Sequence, residues 1–140
     1  QKNDLLAEIE FNIAKPEITD IWVKSIRAPE KLSDAEIRTI DSLLISIMLQ
    51  WDQMFMMQDA GLISETRVRQ HIQNTAPFYF GSRFGKHWWA LQINGWEGTA
   101  MQKVAGSIVE ALDEHFLDSH LDKLKLLPSE ELTTDPEMPE

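Results

Sequence analysis

The stretch from Ser33 to Gly61 limits what this chain can become more than any other, because it reads as one long helix with both ends marked. Ser33 is a natural N-cap, and Glu36 follows at the spacing of a capping box. Leu32 and Ile37 fall at the two positions of a hydrophobic staple. At the far end Gly61 can take the left-handed turn that stops a helix, with Leu62 as its apolar companion. Between the caps a seam of Ile37, Ile40, Leu44, Ile47, Trp51 and Met54 recurs in steps of three and four. Leu43, Met48 and Phe55 widen that seam, while Ile45, Leu49 and Met56 lie on a different side. A helix apolar around most of its circumference is packed on several sides. The expected fold is therefore all-α, a compact bundle of five to six helices around this central one.

The flanking segments supply the other helices. Asn3 or Asp4 is placed to cap a first helix with Leu5, Leu6, Ile9 and Ile13 along one side. Pro16 suits the first turn of a second, whose stripe is Ile18, Ile21, Trp22 and Ile26, and Ala28-Pro29 stops it. Ser64 caps a fourth helix with Val68, Ile72 and Thr75 inside, and Pro77 ends or kinks it. Ser82 caps a fifth bearing Phe84, Trp88 and Leu91, followed by turn signals at Asn94-Gly95 and Gly98. Thr99 and Gln102 suggest a second capping box before a sixth helix carrying Met101, Val104, Ala105, Ile108, Leu112 and Phe116. Gly106 within it costs about 1 kcal/mol relative to Ala, and a close helix crossing is one reason to tolerate that. Leu117, Leu121 and Leu124 extend that helix or form a short separate one. Residues 1–127 are expected to make a single helical domain. From Pro128 the composition turns to Pro, Glu, Ser, Thr and Asp, an acidic tail expected to be disordered. No run alternates apolar and polar residues long enough to make a strand.

A chain of 140 residues can bury one real core but not comfortably two. It has no cysteine, which removes disulfides, thiolate metal sites and thiol nucleophiles. A net charge of -10 repels phosphate backbones and excludes nucleic acid as the expected partner. The charge is uneven: between Gly61 and Val109 only Glu65 and Glu97 oppose Arg67, Arg69, Arg83, Lys86 and Lys103. That basic middle faces either an acidic partner or the protein's own acidic ends. No apolar run approaches the about 20 residues that span a bilayer. The chain opens on Gln1, which reads as a fragment or processed form, with a signal peptide or membrane anchor as the expected upstream segment.

Reactive machinery is hard to find. His71, His87, His115 and His120 offer no pair at helical i, i+4 spacing, and no His-Glu-x-x-His occurs, so neither metal nor cofactor is expected. There is no Gly-x-Ser-x-Gly elbow and no phosphate loop, and no residue is assigned to catalysis. Glu110, Asp113 and Glu114 read as a solvated face. Two features carry a functional reading. Asp52, beside Trp51 in the central helix, needs a partner if buried, and Arg83 or His87 can supply it. The result is either a structural ion pair or the polar floor of a pocket. The segment from Phe78 to Trp89 crowds aromatics around Arg83, Lys86 and His87. Trp88 and Trp89 diverge by about 100° on a helix. Either one faces outward as an anchor for a partner, or both rings are covered.

Taken in order, Lys15-Pro16-Glu17-Ile18, Leu32-Ser33-Asp34-Ala35-Glu36, Trp51-Asp52, Gly61-Leu62-Ile63 and Gly85-Lys86-His87-Trp88-Trp89 resemble a group of small bacterial α-helical proteins of unknown function. The likeness runs over most of Leu5 to Leu117. Members of that group carry one N-terminal membrane-spanning helix, so the resemblance implies a helical domain tethered to a membrane, and it brings no catalytic residues. The expected function is a non-enzymatic interaction or sensing domain, with a protein partner or self-association through exposed apolar helix faces. The alternative is a small-molecule binder or enzyme with a pocket between the central helix and the 78–89 segment, lined by Trp51, Asp52, Arg83, His87, Trp88 and Trp89. An amphipathic module lying on anionic lipid is disfavoured by the acidity.

Overall fold

Both ends of the central helix close as its sequence demands. In this computed structural model, which describes residues 2–125 and side chains from Leu6 onward, the helix α3 spans Asp34–Asp59. The Glu36 N–H donates to Ser33 Oγ at 3.2 Å, and the Ser33 N–H donates to Glu36 Oε1 at 2.9 Å. At the other end the Gly61 N–H reaches Gln58 O and the Leu62 N–H reaches Met57 O, both at 2.9 Å. Gly61 has φ of 77°, and a Cβ there would meet nothing within 4 Å. Handedness of the turn, and not lack of space, selects glycine.

The other α-helices are α1 (Lys2–Ile13), α2 (Pro16–Arg27), α4 (Glu65–Phe80), α5 (Arg83–Gln92), α6 (Gly106–Glu110) and α7 over 116–125, of which α1, α2 and α4 pack directly on α3. Among the described residues there is no strand, and the fold is all-α. Ile40, Leu44, Ile47, Trp51 and Met54 are at most 1% exposed and form the centre of the core. Ile37 does not head that seam, since 40% of it is exposed. α2 is joined to α3 by Lys24, whose Nζ bonds the two Glu36 carboxylate oxygens at 3.1 and 3.0 Å. The Ser33 N–H, and after it the Lys24 ammonium, hold the Glu36 carboxyl below the ordinary glutamate range.

α1 is already helical at Lys2, so Asn3 and Asp4 lie inside its first turn and not at its cap. Ile9 is buried, and Leu6 and Ile13 pack partly against the core. The Tyr79 hydroxyl donates to the Glu10 carboxylate, which ties α1 to α4. Burial, with Glu10 alongside, pushes the Tyr79 phenol far up.

Pro77 neither ends α4 nor stands at its edge, because the helix continues to Phe80. An interior proline costs about 3 kcal/mol. The turn beyond it buries Tyr79 and Phe80, which are 4% and 0% exposed. Burying a large apolar side chain returns about 1.5–3 kcal/mol, so two such rings outweigh the proline.

The C-terminal third departs most from expectation. A π-turn at Met101–Ala105, closed by the Gly106 N–H on Met101 O, precedes the short α6. A Cβ on Gly106 would sit no closer than 3.9 Å to any neighbour, so no tight crossing requires glycine there. Thr99 and Gln102 form most of a capping box: the Gln102 N–H meets Thr99 Oγ1 at 3.3 Å, while Gln102 Oε1 accepts from Gly98 at 2.8 Å. α6 stops at Glu110 and does not run to Phe116. Lys86 Nζ caps the break by donating to Glu110 O at 3.0 Å and Leu112 O at 2.6 Å.

α7 is a separate helix. The Leu117 N–H donates to Gly81 O at 2.9 Å. A Cβ on Gly81 would lie 2.5 Å from Pro77 O and 3.0 Å from Phe116 Cβ, so α7 approaches where only glycine fits. Arg27 on α2 holds the other side through Asp118 at 2.6 Å and Asp122 at 2.9 Å. The acidic tail expected from Pro128 lies outside the described residues. No described helix is long and apolar enough to cross a membrane.

Candidate functional site

The aromatic segment is shaped by Ser82 and Gly85. Ser82 Oγ accepts the Gly85 N–H at 2.9 Å and starts α5. A Cβ on Gly85 would lie 2.8 Å from Phe80 Cα, so α5 runs directly against the end of α4. That contact carries the two adjacent tryptophans to Phe80. Trp88 stacks on Phe80 with centroids 5.8 Å apart, and Trp89 meets it edge-on at 5.1 Å. Trp51 closes the cluster at 5.5 Å from Phe80 and 5.7 Å from Trp89.

Both tryptophans are therefore inside, with Trp88 6% and Trp89 1% exposed, and neither projects outward as an anchor. Their divergence on α5 aims them at different walls of the same core. Trp88 Nε1 donates to Asp41 Oδ1 at 2.7 Å. The indole N–H groups of Trp51 and Trp89 find no acceptor among the described residues. Leaving a buried donor unpaired costs about 1–3 kcal/mol. The core tolerates that in exchange for ring volume.

Asp52 is half-buried on α3 and forms neither an ion pair nor a hydrogen bond with Arg83 or His87. Those two side chains are exposed on α5. The acid that ties α5 to α3 is Asp41, which sequence reasoning passed over. Its position one turn after Ile37, at the edge of the apolar seam, was the available signal. The three polar groups expected at the floor of a pocket thus do not converge, and the rings expected to line it fill the core. Among the described residues no three metal-ligating side chains gather in one place.

A cleft of about 430 Å³ opens between the α1–α2 turn and α3. Its hydroxyls are spent locally: Thr39 donates to Ala35 O at 3.2 Å, Ser46 donates to Ser42 O at 3.0 Å, and Ser42 Oγ accepts from Arg38. Groups bonded to their own helix do not converge on a ligand.

The larger unpartnered feature is apolar. On α3, Ile45, Leu49, Asp52 and Met56 follow in steps of four, three and four, which places them on one face. Leu49 is 54% and Met56 61% exposed, and Ile45 is half-buried. α3 is therefore not covered on every side. Near its start a recess of about 190 Å³ is lined by Ile37, Phe84, His87, Trp88 and Leu91. The Trp88–Asp41 bond ties α5, which supplies most of that recess, to α3. Asp41, Asp52 and Asp59 lie along one flank of the stripe.

No protein family, curated protein or solved structure matches the chain.

Proposed function

We propose that this domain is a non-enzymatic interaction module that docks another protein against the Ile45–Leu49–Met56 face of α3. The observation that carries the proposal is the exposure of Leu49 and Met56, one above the other, on a helix whose remaining apolar residues are mostly buried. Apolar residues scattered singly need no explanation, but an aligned pair on one helix face does. Acids along one flank favour a partner that brings basic residues beside its own apolar stripe.

The pocket alternative has less support. Trp51, Trp88 and Trp89 all pack on Phe80 inside the core, and Asp52, Arg83 and His87 remain apart. Membrane tethering enters the proposal from the family resemblance alone.

Photocrosslinking from positions 49 and 56 tests the proposal, with position 11 as control, because Phe11 is 74% exposed on a different helix, α1. The expected result is a discrete adduct from 49 and 56 and none of that mass from 11. An adduct of twice the chain mass identifies a second copy as the partner. Equal, diffuse labelling from all three positions contradicts the proposal.

A further inference from the structure

We propose that a second site, between α1, α2, α4 and α7, binds a small alkylammonium ion. A pocket of about 210 Å³ lies there, smaller than the 300–1,000 Å³ typical of drug-sized sites. Its chemistry divides into two parts. One wall is aliphatic, built from Ile13, Val23, Ile26, Leu117 and Leu121. The other includes Trp22, Phe78 and Tyr79, with the exposed Glu10 carboxylate bonded to the Tyr79 hydroxyl.

The second wall selects charge sign. Aromatic faces carry partial negative charge and attract cations, most strongly when an organic cation brings little hydration with it. Glu10 adds a full negative charge, and its described hydrogen-bond partner is the neutral Tyr79 hydroxyl. No lysine or arginine lines the pocket among the described residues. The nearby Arg27 is committed to Asp118 and Asp122. The remaining titratable group is His120, stacked on Phe116 at 5.8 Å and edge-on to Phe78 at 5.3 Å.

The rings are also held in place. Trp22 meets Tyr79 at 6.3 Å and 64°, and Tyr79 is 4% exposed with its hydroxyl anchored on Glu10. A carboxylate positioned in this way, beside fixed rings and above an aliphatic wall, matches an ammonium head on a short hydrocarbon chain. An anion would meet both the rings and Glu10 unfavourably, and a neutral alcohol would gain only the wall.

The site uses none of the residues of the α3 face, so its failure leaves the interaction proposal standing. The experiment is a titration of the whole 140-residue chain with n-hexylammonium, n-hexanol and hexanoate, followed through the Trp22 indole N–H in NMR spectra. Hexylammonium is expected to shift that resonance saturably and about tenfold more tightly than hexanol, with hexanoate weakest. In Glu10→Gln, which keeps an oxygen for the Tyr79 hydroxyl, the preference for hexylammonium is expected to shrink to about twofold. Equal affinity for hexanol, or an undiminished preference in Glu10→Gln, overturns the proposal. So does the absence of any saturable shift at Trp22.

Discussion

Two glycines and two aspartates show how much depends on what a side chain touches. Gly106 sits at φ -58 and ψ -44, where any L residue is at ease, and an added Cβ would make ordinary contacts. Gly106→Ala is expected to raise the unfolding free energy by about 0.5–1 kcal/mol in urea titrations. Gly85 has equally helical neighbours, but its Cβ would collide with the backbone of Phe80 at 2.8 Å. Gly85→Ala is expected to lower stability by about 1–3 kcal/mol in the same measurement. The aspartates divide in the same way. Asp41→Ala strips the Trp88 indole of its acceptor and is expected to cost about 1–3 kcal/mol. Asp52→Ala removes no described bond and is expected to stay within about 0.5 kcal/mol. Sequence position singles out Asp52, an acid beside Trp51 amid the apolar surface of α3. Only the packing of α5 against α4 shows that Asp41 is the acid the fold uses.

At the scale of elements, the ends of α3 were legible and its surroundings were not. Ser33, Glu36 and Gly61 act through bonds to their immediate neighbours, so their roles are written in local spacing. Which side of α3 meets which neighbour depends on contacts distant in sequence. Ile37 therefore passed for core while it borders a recess, and Leu49 and Met56 passed for a packed side. Pro77 misled for a related reason, since the rings that hold the last turn of α4 are covered by other elements. The end of α6 was invisible because Lys86, 24 residues from Glu110, caps it. The Lys24–Glu36 tie has a pH signature. The folded Glu36 carboxyl lies below its unfolded value, so its contribution is complete above the unfolded value, about 4.3, and is lost as pH falls through the folded one. Urea midpoints measured from pH 6 downward are expected to fall through that window, and Glu36→Gln to flatten the fall.

The whole molecule carries two apolar sets that look alike in composition. The rings of Trp51, Phe80, Trp88 and Trp89 hold α3, α4 and α5 together. Leu49 and Met56 stand more than half exposed on α3, on the face where we propose that a partner docks. All-α architecture and the central position of α3 could be read from periodicity, because a broad apolar face fixes both. The division of labour could not, since it is a property of which surfaces remain after packing. Unfolding free energies of two variants, from one series of urea titrations, test that division most directly. Leu49→Gln combined with Met56→Gln is expected to leave stability within about 0.5 kcal/mol of the parent chain, while Trp89→Ala lowers it by about 3–5 kcal/mol. A large loss from the α3 pair, or a negligible one from Trp89→Ala, would contradict the account.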